Sequence, residues 1–146
     1  MTECVLCRLR LETPTLREST FWRIAINRNQ DLLGKSIIVL RRHEEEVVRL
    51  TGEEWSDLQG EIGWITERLE DAFEPDHFNY AFLQNADRHV HLHVIPRYVE
   101  TRNLAGRHFD DADFPDSYRT PPTGSEIASA DVITAVEAAL VRQAHG

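Results

Sequence analysis

The sequence predicts an α+β protein in which an antiparallel sheet carries one long helix and one short helix, followed by an extended C-terminal tail that ends in a helix. Segments rich in β-branched and aromatic residues stand on both sides of one long segment with helical periodicity. Two of these segments are joined by a connection too short for a helical crossover, which favours antiparallel pairing. Strands that precede and follow a helix in this way are typical of a sheet with helices on one side.

The length and composition are those of one globular domain. The 146 residues suit a single domain spanning 1–146, and the formal net charge of −9 argues against a broad basic surface for nucleic acid. No apolar run approaches the roughly 20 residues of a membrane span, and Met1–Cys4 lacks the features of a signal peptide. We therefore expect a cytoplasmic protein with neither a membrane nor a nucleic-acid partner. In that compartment Cys4 and Cys7 are thiols or metal ligands rather than a structural disulfide.

The first part of the chain is predicted to form two strands and the short helix. Phe21–Ile26 mixes apolar and polar positions and is rich in strong β formers. Loop residues and a turn at Gly34 come before the second strand, Ser36–Leu40. Residues 44–50 are predicted to form the short helix.

A long helix is predicted to begin after Thr51, which has the spacing of a capping box with Glu54. Its apolar residues recur at intervals of three and four and form a stripe that can pack on a sheet. They are Trp55, Leu58, Ile62, Ile65, Leu69 and Phe73. Trp55 and Trp64 are interpreted as core or near-core residues rather than ligand contacts.

The chain returns to the sheet after this helix. Phe78–Gln84 predicts a strand, residues 85–88 a tight connection, and the stretch from His89 another strand, so the two strands form an antiparallel hairpin. Residues 100–125 show little periodicity. Asp131–Arg142 predicts the terminal helix, with Ser129 as its cap.

Three histidines alternate with apolar residues in the sequence His89-Val90-His91-Leu92-His93-Val94. A strand turns successive side chains to opposite faces, so the three imidazoles would share one face and the apolar residues would face a core. Rings roughly 6.5 to 7 Å apart can act together on one small anion or metal. A half-exposed strand that needs only polar residues would be served equally well by Lys, Glu or Thr, which favours a functional role.

This stretch, continued by Pro96 and Arg97, resembles the signature of the histidine triad (HIT) superfamily. Cys4-x-x-Cys7 resembles the amino-terminal motif of many bacterial members, and Gly34–Val39 followed by Arg42-His43 resembles the family's glycine turn, strand and basic segment. The likeness covers about residues 4–98, and residues 99–146 form a variable C-terminal extension. The resemblance implies a HIT-like fold and a homodimer that pairs through the long helix and the strand after it.

The resemblance also implies an enzyme. HIT hydrolases and transferases act at the α-phosphorus of a nucleotide conjugate, commonly a dinucleoside polyphosphate or a nucleoside phosphoramidate, and use no organic cofactor. His91 corresponds to the nucleophile that forms a nucleotidyl-histidine. His93 and His89 correspond to residues that contact the phosphate. Asn27 aligns with the residue that holds the ribose hydroxyls, and Asn85 with a residue near the phosphate.

The loop before His89 departs from the family pattern. Relatives carry a Gly-rich segment with Gln and then Ser or Thr, which attends the leaving oxygen. Here only Ala86-Asp87-Arg88 separate Asn85 from His89. Asp87 could donate a proton and Arg88 could meet a phosphate, although strand alternation aims Arg88 away from the histidine face. The leaving group therefore stays open.

Cys4-x-x-Cys7 is half of a zinc site, or alternatively a pair of buried thiols or a redox pair. The βαβ context of a thioredoxin-like redox pair is missing. In HIT proteins with this motif the other two ligands correspond to His43 and His89, so the resemblance implies a structural zinc at Cys4, Cys7, His43 and His89. The remaining histidines are expected at the surface; they are His77, His108 and His145.

Two other functions stay open on the sequence. Three histidines with an open position also suit the zinc of a metal-dependent hydrolase. A nucleotide-binding protein with little turnover is favoured by the shortened loop before His89.

Overall fold

The computed structural model describes residues 4, 6–7, 13–121 and 128–142, so His145 lies outside the described residues. The described elements, in chain order, are β1 Thr15–Glu18, β2 Trp22–Ile26, β3 Ser36–Leu40, a 3₁₀ turn Val47–Arg49, α1 Gly52–Phe73, β4 His77–Ala81, β5 His91–Arg97, β6 Arg102–Leu104, β7 Arg107–Phe109 and α2 Ala130–Arg142. Five strands form an antiparallel sheet in the order β1-β2-β3-β5-β4, and β6 and β7 form a separate hairpin. The α+β class with an antiparallel sheet is confirmed.

The capping box at the start of α1 is confirmed. Thr51 Oγ1 accepts from the Glu54 amide at 3.1 Å, and the Glu54 carboxylate accepts from the Thr51 amide at 2.8 Å. These two bonds satisfy donors that a helix start leaves unpaired. Glu74 ends the helix in the left-handed conformation, with φ 51°.

The buried stripe of α1 differs from the predicted one at Trp55, which is 43% exposed, and at Ile62, which is only partly buried. The stripe passes through Glu54 and Glu61 instead, together with the predicted Leu58, Ile65, Leu69 and Phe73. Glu54 can be buried because Arg42 donates to both oxygens of its carboxylate, at 2.7 and 2.9 Å. Glu61 can be buried because Arg17 donates to both oxygens of its carboxylate at 3.1 Å. The interpretation of Trp55 as a core residue is therefore wrong, whereas Trp64 does pack against the core.

The core lies between one face of the sheet and the two helices. Its sheet residues alternate along β2 and β5, α2 contributes Val136 and Leu140, and the β6–β7 hairpin contributes Phe109. The core residues of β2 and β5, with Val90 just before β5, are Trp22, Ile24, Ile26, Val90, Leu92 and Val94. Alternation therefore directs His91 and His93 to the opposite face of the sheet, which we call the histidine face.

The strand boundaries around the histidines differ from the prediction. β4 ends at Ala81 rather than Gln84, β5 begins at His91 rather than His89, and residues 82–90 connect the two. The reason is backbone pairing elsewhere: the Val90 amide donates to the Glu44 carbonyl, and its carbonyl accepts from the Leu40 amide. Antiparallel pairing of β4 with β5 is confirmed.

Three further strands were not predicted. β1 is four residues long, and β6 and β7 are three each, so their local signals are weak. The helix predicted over 44–50 is reduced to the 3₁₀ turn Val47–Arg49. The terminal helix and its cap are confirmed, because Ser129 Oγ accepts from the Val132 amide at 3.4 Å.

Candidate functional site

His91 and His93 lie side by side on the histidine face, with their ring centroids 4.8 Å apart. Val39 and Ile37 of β3 are their partners in the sheet. The His91 side chain is enclosed, with 7% of its surface exposed, and His93 is partly buried. Two imidazoles at this spacing can act on the same small group.

The position of one proton on His91 follows from a single hydrogen bond. His91 Nδ1 lies 2.7 Å from the carbonyl oxygen of His89. A carbonyl oxygen only accepts, so Nδ1 carries the proton and Nε2 carries a lone pair. Such a nitrogen is a nucleophile or a base, and the carbonyl would stabilise positive charge that develops on the ring.

His93 is held neutral at pH 7. Burial above all, with the neighbouring His91 and the Lys35 ammonium, lowers its pKa to about 4. A neutral imidazole still has one N–H, which can donate to an anion without carrying charge itself. The histidine face therefore pairs a lone-pair nitrogen with a neighbouring neutral donor.

A buried ion pair that sequence reasoning missed lies beside His93. Lys35 precedes β3, is 4% exposed and places Nζ 2.5 Å from Asp31 Oδ1 and 2.8 Å from the Tyr118 hydroxyl. Tyr118 in turn donates to Asp31 Oδ2 at 2.7 Å. Burial lowers the pKa of Lys35, and Asp31 partly offsets this effect. Strand alternation from Ile37 was the available signal for Lys35, whereas nothing in the sequence placed Tyr118 near it.

A second buried ion pair, also missed, attaches the tail to the histidine face. Arg97 of β5 is 2% exposed and donates to both oxygens of Asp111, at 2.7 and 3.2 Å, to Asn79 Oδ1 at 2.7 Å and to the Asp116 carbonyl at 2.8 Å. Burial disfavours the Asp111 carboxylate, but these bonds and two backbone amides keep its pKa below the usual value. We call residues 110–120 the strap, because Arg97 and Lys35 both hold it against the sheet.

The two predicted asparagines are both described. Asn27 follows β2, and its side-chain oxygen accepts from the Asn29 amide at 2.9 Å. Its backbone amide donates to the Lys35 carbonyl, so Asn27 sits at the Lys35 end of the histidine face. Asn85 is exposed in the connection before β5, in a shallow cavity with Gln84 and Arg88.

Cys4, Cys7, His43 and His89 come together as the sequence resemblance implied. Their potential ligand atoms all lie within 4.8 Å of one another, and this is the one such group among the residues that the structure describes. His89 Nδ1 lies 3.3 Å from each sulfur, and His43 Nδ1 lies 2.9 Å from Cys7 Sγ. Bond lengths to tetrahedral zinc imply ligand separations of about 3.3 to 3.8 Å. The donor set and its spacing fit zinc.

The outer nitrogens of both histidines support that fit. His89 Nε2 donates to the Leu40 carbonyl at 2.5 Å, which leaves the lone pair on Nδ1 facing the cysteines. His43 Nε2 lies 3.3 Å from the Glu45 carboxylate. Burial and the adjacent Cys4 raise the pKa of Cys7 to about 11, so metal binding would have to displace its proton.

The structure thus divides the three histidines of the motif. Both ring nitrogens of His89 are engaged, Nδ1 by the two cysteine sulfurs and Nε2 by the Leu40 carbonyl, whereas the His89 backbone carbonyl contacts His91. His77 and His108 are exposed, which confirms the expectation for these two. Neither of the described helices is both long enough and apolar enough to cross a bilayer.

Solved structures similar to this chain are histidine triad proteins. A hypothetical histidine triad nucleotide-binding protein from Sulfolobus tokodaii is 14% identical, with a TM-score of 0.70 over 97% of this chain and 90% of its own. A histidine triad protein from Marinobacter aquaeolei VT8 is 24% identical, with a TM-score of 0.67 over 93% of each chain. A Zn-bound histidine triad family protein from Mycobacterium smegmatis is 18% identical, with a TM-score of 0.63 over 97% and 96%.

No family model matches the chain, and no curated protein matches it significantly. The structural likenesses extend over most of the chain, including the part after Tyr98. They show that the chain has the histidine triad fold, which the sequence motif had predicted.

Proposed function

We propose that the chain is a HIT-type nucleotide hydrolase or transferase that acts at the α-phosphorus of a nucleotide conjugate, either a dinucleoside polyphosphate or a nucleoside phosphoramidate. The observation that carries this proposal is the His91 ring, fixed by the His89 carbonyl with its lone pair on Nε2 and with His93 beside it. The fold shared with a histidine triad nucleotide-binding protein supports the nucleotide as ligand.

The first chemical step uses the lone pair of His91. Nε2 forms a bond to the α-phosphorus while the bond from phosphorus to the leaving group breaks and the leaving group departs with that electron pair. The ring becomes positively charged, and the His89 carbonyl, 2.7 Å from Nδ1, accepts from the N–H that carries this charge. Water then attacks the nucleotidyl-histidine, releases a mononucleotide and restores the neutral ring.

Other groups of the histidine face would position the phosphate. His93 can donate its N–H to an oxygen on which charge gathers in the transition state. The Lys35 ammonium near His93 is paired with Asp31, and its effect here is to help keep the His93 ring neutral. Asn27 would contact the ribose with its amide group, and Asn85, exposed in the connection before β5, would contact the phosphate.

We assign the zinc a structural role at Cys4, Cys7, His43 and His89. A metal there would join the amino-terminal segment to β5 and supply folding free energy. The Zn-bound relative from Mycobacterium smegmatis supports this assignment. Because His89 turns its ring toward the cysteines, the phosphate contacts fall to His91 and His93, which also speaks against one catalytic metal held by all three histidines.

We also propose that the protein is a homodimer that pairs through α1 and β4. β4 is an edge strand of the sheet, so its outer backbone groups are available for pairing. Large hydrophobic side chains are exposed on the same elements: Trp55 of α1 at 43% and Tyr80 of β4 at 48%. Trp55 contacts Phe82, just after β4, edge to face at 6.1 Å, so α1 and the end of β4 present a shared aromatic surface.

The test of function is a product assay. Purified protein is incubated with adenine and guanine dinucleoside polyphosphates and phosphoramidates, and released mononucleotide is separated and quantified. We expect release from at least one class. Tight binding of the intact conjugates without release would favour the second candidate, a nucleotide-binding protein with little turnover, because residues 86–88 before His89 lack the Gln and Ser or Thr of relatives. Neither binding nor release would exclude both.

A further inference from the structure

A cavity of about 400 Å³ lies between the strap and the β4 edge of the sheet. Asn79 and Ala81 of β4 and Ile95 of β5 form its floor, and Phe114 and Tyr118 of the strap line its other side. This volume falls in the range of small-molecule sites. The cavity is separate from the cysteine cluster and has no role in the mechanism above.

The floor of this cavity adjoins the histidine face. Ala81 is the direct antiparallel partner of His93, which places their Cα atoms about 5 Å apart. On the other side of His93 the sheet continues through Ile37 to Ala25, two residues before Asn27. The proposed ribose position and the cavity therefore lie on opposite sides of His93. A nucleotide conjugate laid across the strands would reach both.

The cavity is chemically unlike a polyphosphate site. Aromatic rings contribute to its walls, and its polar groups include neutral amides and hydroxyls, with the Asp116 carboxylate among the lining residues. The guanidinium of Arg97 is neutralised by Asp111, and the nearby Lys35 ammonium by Asp31. A cation already paired with a buried carboxylate gives little attraction to a further anion.

We infer that this cavity receives the leaving group of the substrate and that it selects an uncharged or cationic aromatic group over an anionic one. The inference rests on the proposed function, because it presumes a nucleotide conjugate with its phosphorus at His91. In the corresponding step the His91 Nε2–phosphorus bond forms and the phosphorus–nitrogen bond of a phosphoramidate breaks. The departing amine keeps the electron pair of that bond and takes a proton from water.

The first arm of the test compares two adenosine 5′-phosphoramidates on the wild-type protein. One carries 2-phenylethylamine and the other aspartate, so that the scissile phosphorus–nitrogen bond is shared and the charge and shape of the leaving group differ. We expect kcat/KM to be at least about ten-fold higher for the aromatic conjugate. Equal values, or a preference for the aspartate conjugate, would overturn the inference.

A binding arm separates this inference from the proposed function. If wild-type protein releases AMP from neither conjugate, the proposed hydrolysis of phosphoramidates is refuted, and the cavity is then judged by the Kd of each intact conjugate in calorimetry. Tighter binding of the aromatic conjugate, by about ten-fold, would support the cavity on its own. Indistinguishable Kd values would refute it.

A matched pair of strap variants locates the effect. Ser117 lines the cavity, so Ser117→Trp would fill it, whereas Ala112 is exposed on the same strap outside the cavity and Ala112→Trp is the control. We compare the 2-phenylethylamine conjugate with unsubstituted adenosine phosphoramidate. The ratio of their kcat/KM values should fall by at least about five-fold in Ser117→Trp and stay at the wild-type value in Ala112→Trp. An unchanged ratio in a folded Ser117→Trp protein would show that the leaving group lies elsewhere.

Discussion

Replacing each histidine of the face separately distinguishes the nucleophile from its neighbour. His91→Ala removes the only nitrogen whose lone pair is fixed by the His89 carbonyl, so turnover should fall by about three powers of ten or more. His93→Ala should reduce turnover less, because it removes one donor to the phosphate. Single-turnover assays, with calorimetry of AMP binding to each variant, measure both effects.

A far-UV circular dichroism spectrum like that of the wild type is the control that the fold of both variants is intact. A His91→Ala protein as active as wild type would contradict the covalent mechanism. Loss of turnover in His93→Ala alone would instead exchange the two roles.

The buried neutral His93 makes the protein less stable in acid. Its pKa is lowered from 6.5 to about 4 in the folded state, mainly by burial, so the unfolded chain binds the proton more readily. The free energy of unfolding should therefore be unaffected by this group above pH 6.5 and should fall as the pH drops from 6.5 to 4, by up to about 3 kcal/mol. Urea denaturation at half-unit steps between pH 7.5 and 4.5 gives the curve.

His93→Gln is the matched variant, since its amide does not titrate and the metal ligands are common to both proteins. The difference between the two stability curves isolates His93 from the acid loss of a metal. Parallel curves would show that this ring is already solvated in the folded protein.

The turn before β3 depends on one glycine. Gly34 has φ +86°, and a Cβ added there would lie 2.7 Å from Leu69 Cδ2 of α1. Gly34→Ala should therefore lower the free energy of unfolding by about 2 to 4 kcal/mol, from backbone strain and from crowding against α1. Gly60→Ala is the control, because a Cβ there meets nothing within 4 Å and Ala favours a helix. If the two variants are equally stable, the turn rearranges without strain.

At the level of elements, the sequence was sufficient where local signals and packing agree. The capping box of Thr51 and Glu54 and the apolar run Ser36–Leu40 specify α1 and β3 with few tertiary requirements. β1, β6 and β7 are too short to carry a pattern of their own and depend on their partners in the sheet. His89 lies before β5 rather than in it, because the backbone of Val90 is hydrogen-bonded to Leu40 and Glu44. These residues are distant in the sequence, so periodicity does not predict the contact.

The candidate site shows the same division. His91, His93 and the four residues of the cysteine cluster were found because the motif spacing carries them. Lys35, Arg97 and their carboxylate partners were missed because each pair joins the sheet to a segment with no periodicity. Trp55 was misplaced because burial of Glu54 and Glu61 requires arginine partners from other elements.

For the whole molecule, metal removal should affect stability more than chemistry. Chelation, or the double variant Cys4→Ser with Cys7→Ser, should lower Tm by about ten degrees or more, since the cluster joins the amino-terminal segment to the start of β5. The rate per folded molecule, measured well below Tm, should change much less. Elemental analysis beside calorimetry and the product assay makes the comparison.

Two results would contradict this assignment. Metal-free protein with an unchanged Tm would remove the structural zinc. Folded, inactive metal-free protein that regains activity with added zinc would instead revive the metal-dependent hydrolase.

The proposed homodimer predicts a sedimentation mass of two chains at micromolar concentration. Trp55→Glu places a charge on the aromatic surface shared by α1 and the end of β4, and should shift the protein toward monomer by at least about ten-fold in the dissociation constant. Val99→Glu, at a residue 69% exposed after β5, is the control. A wild-type mass of one chain would refute the dimer.

The packing of the chain after Tyr98 limits where this protein can be truncated. β7 and α2 contribute Phe109, Val136 and Leu140 to the core on the helix face, while the strap between them is clamped to Arg97 and Lys35 on the histidine face. The described residues after Tyr98 therefore contact both faces of the sheet. A gene fragment that ends near Tyr98 retains every residue of the family motif. It would nevertheless encode a sheet that has lost packing partners on both faces.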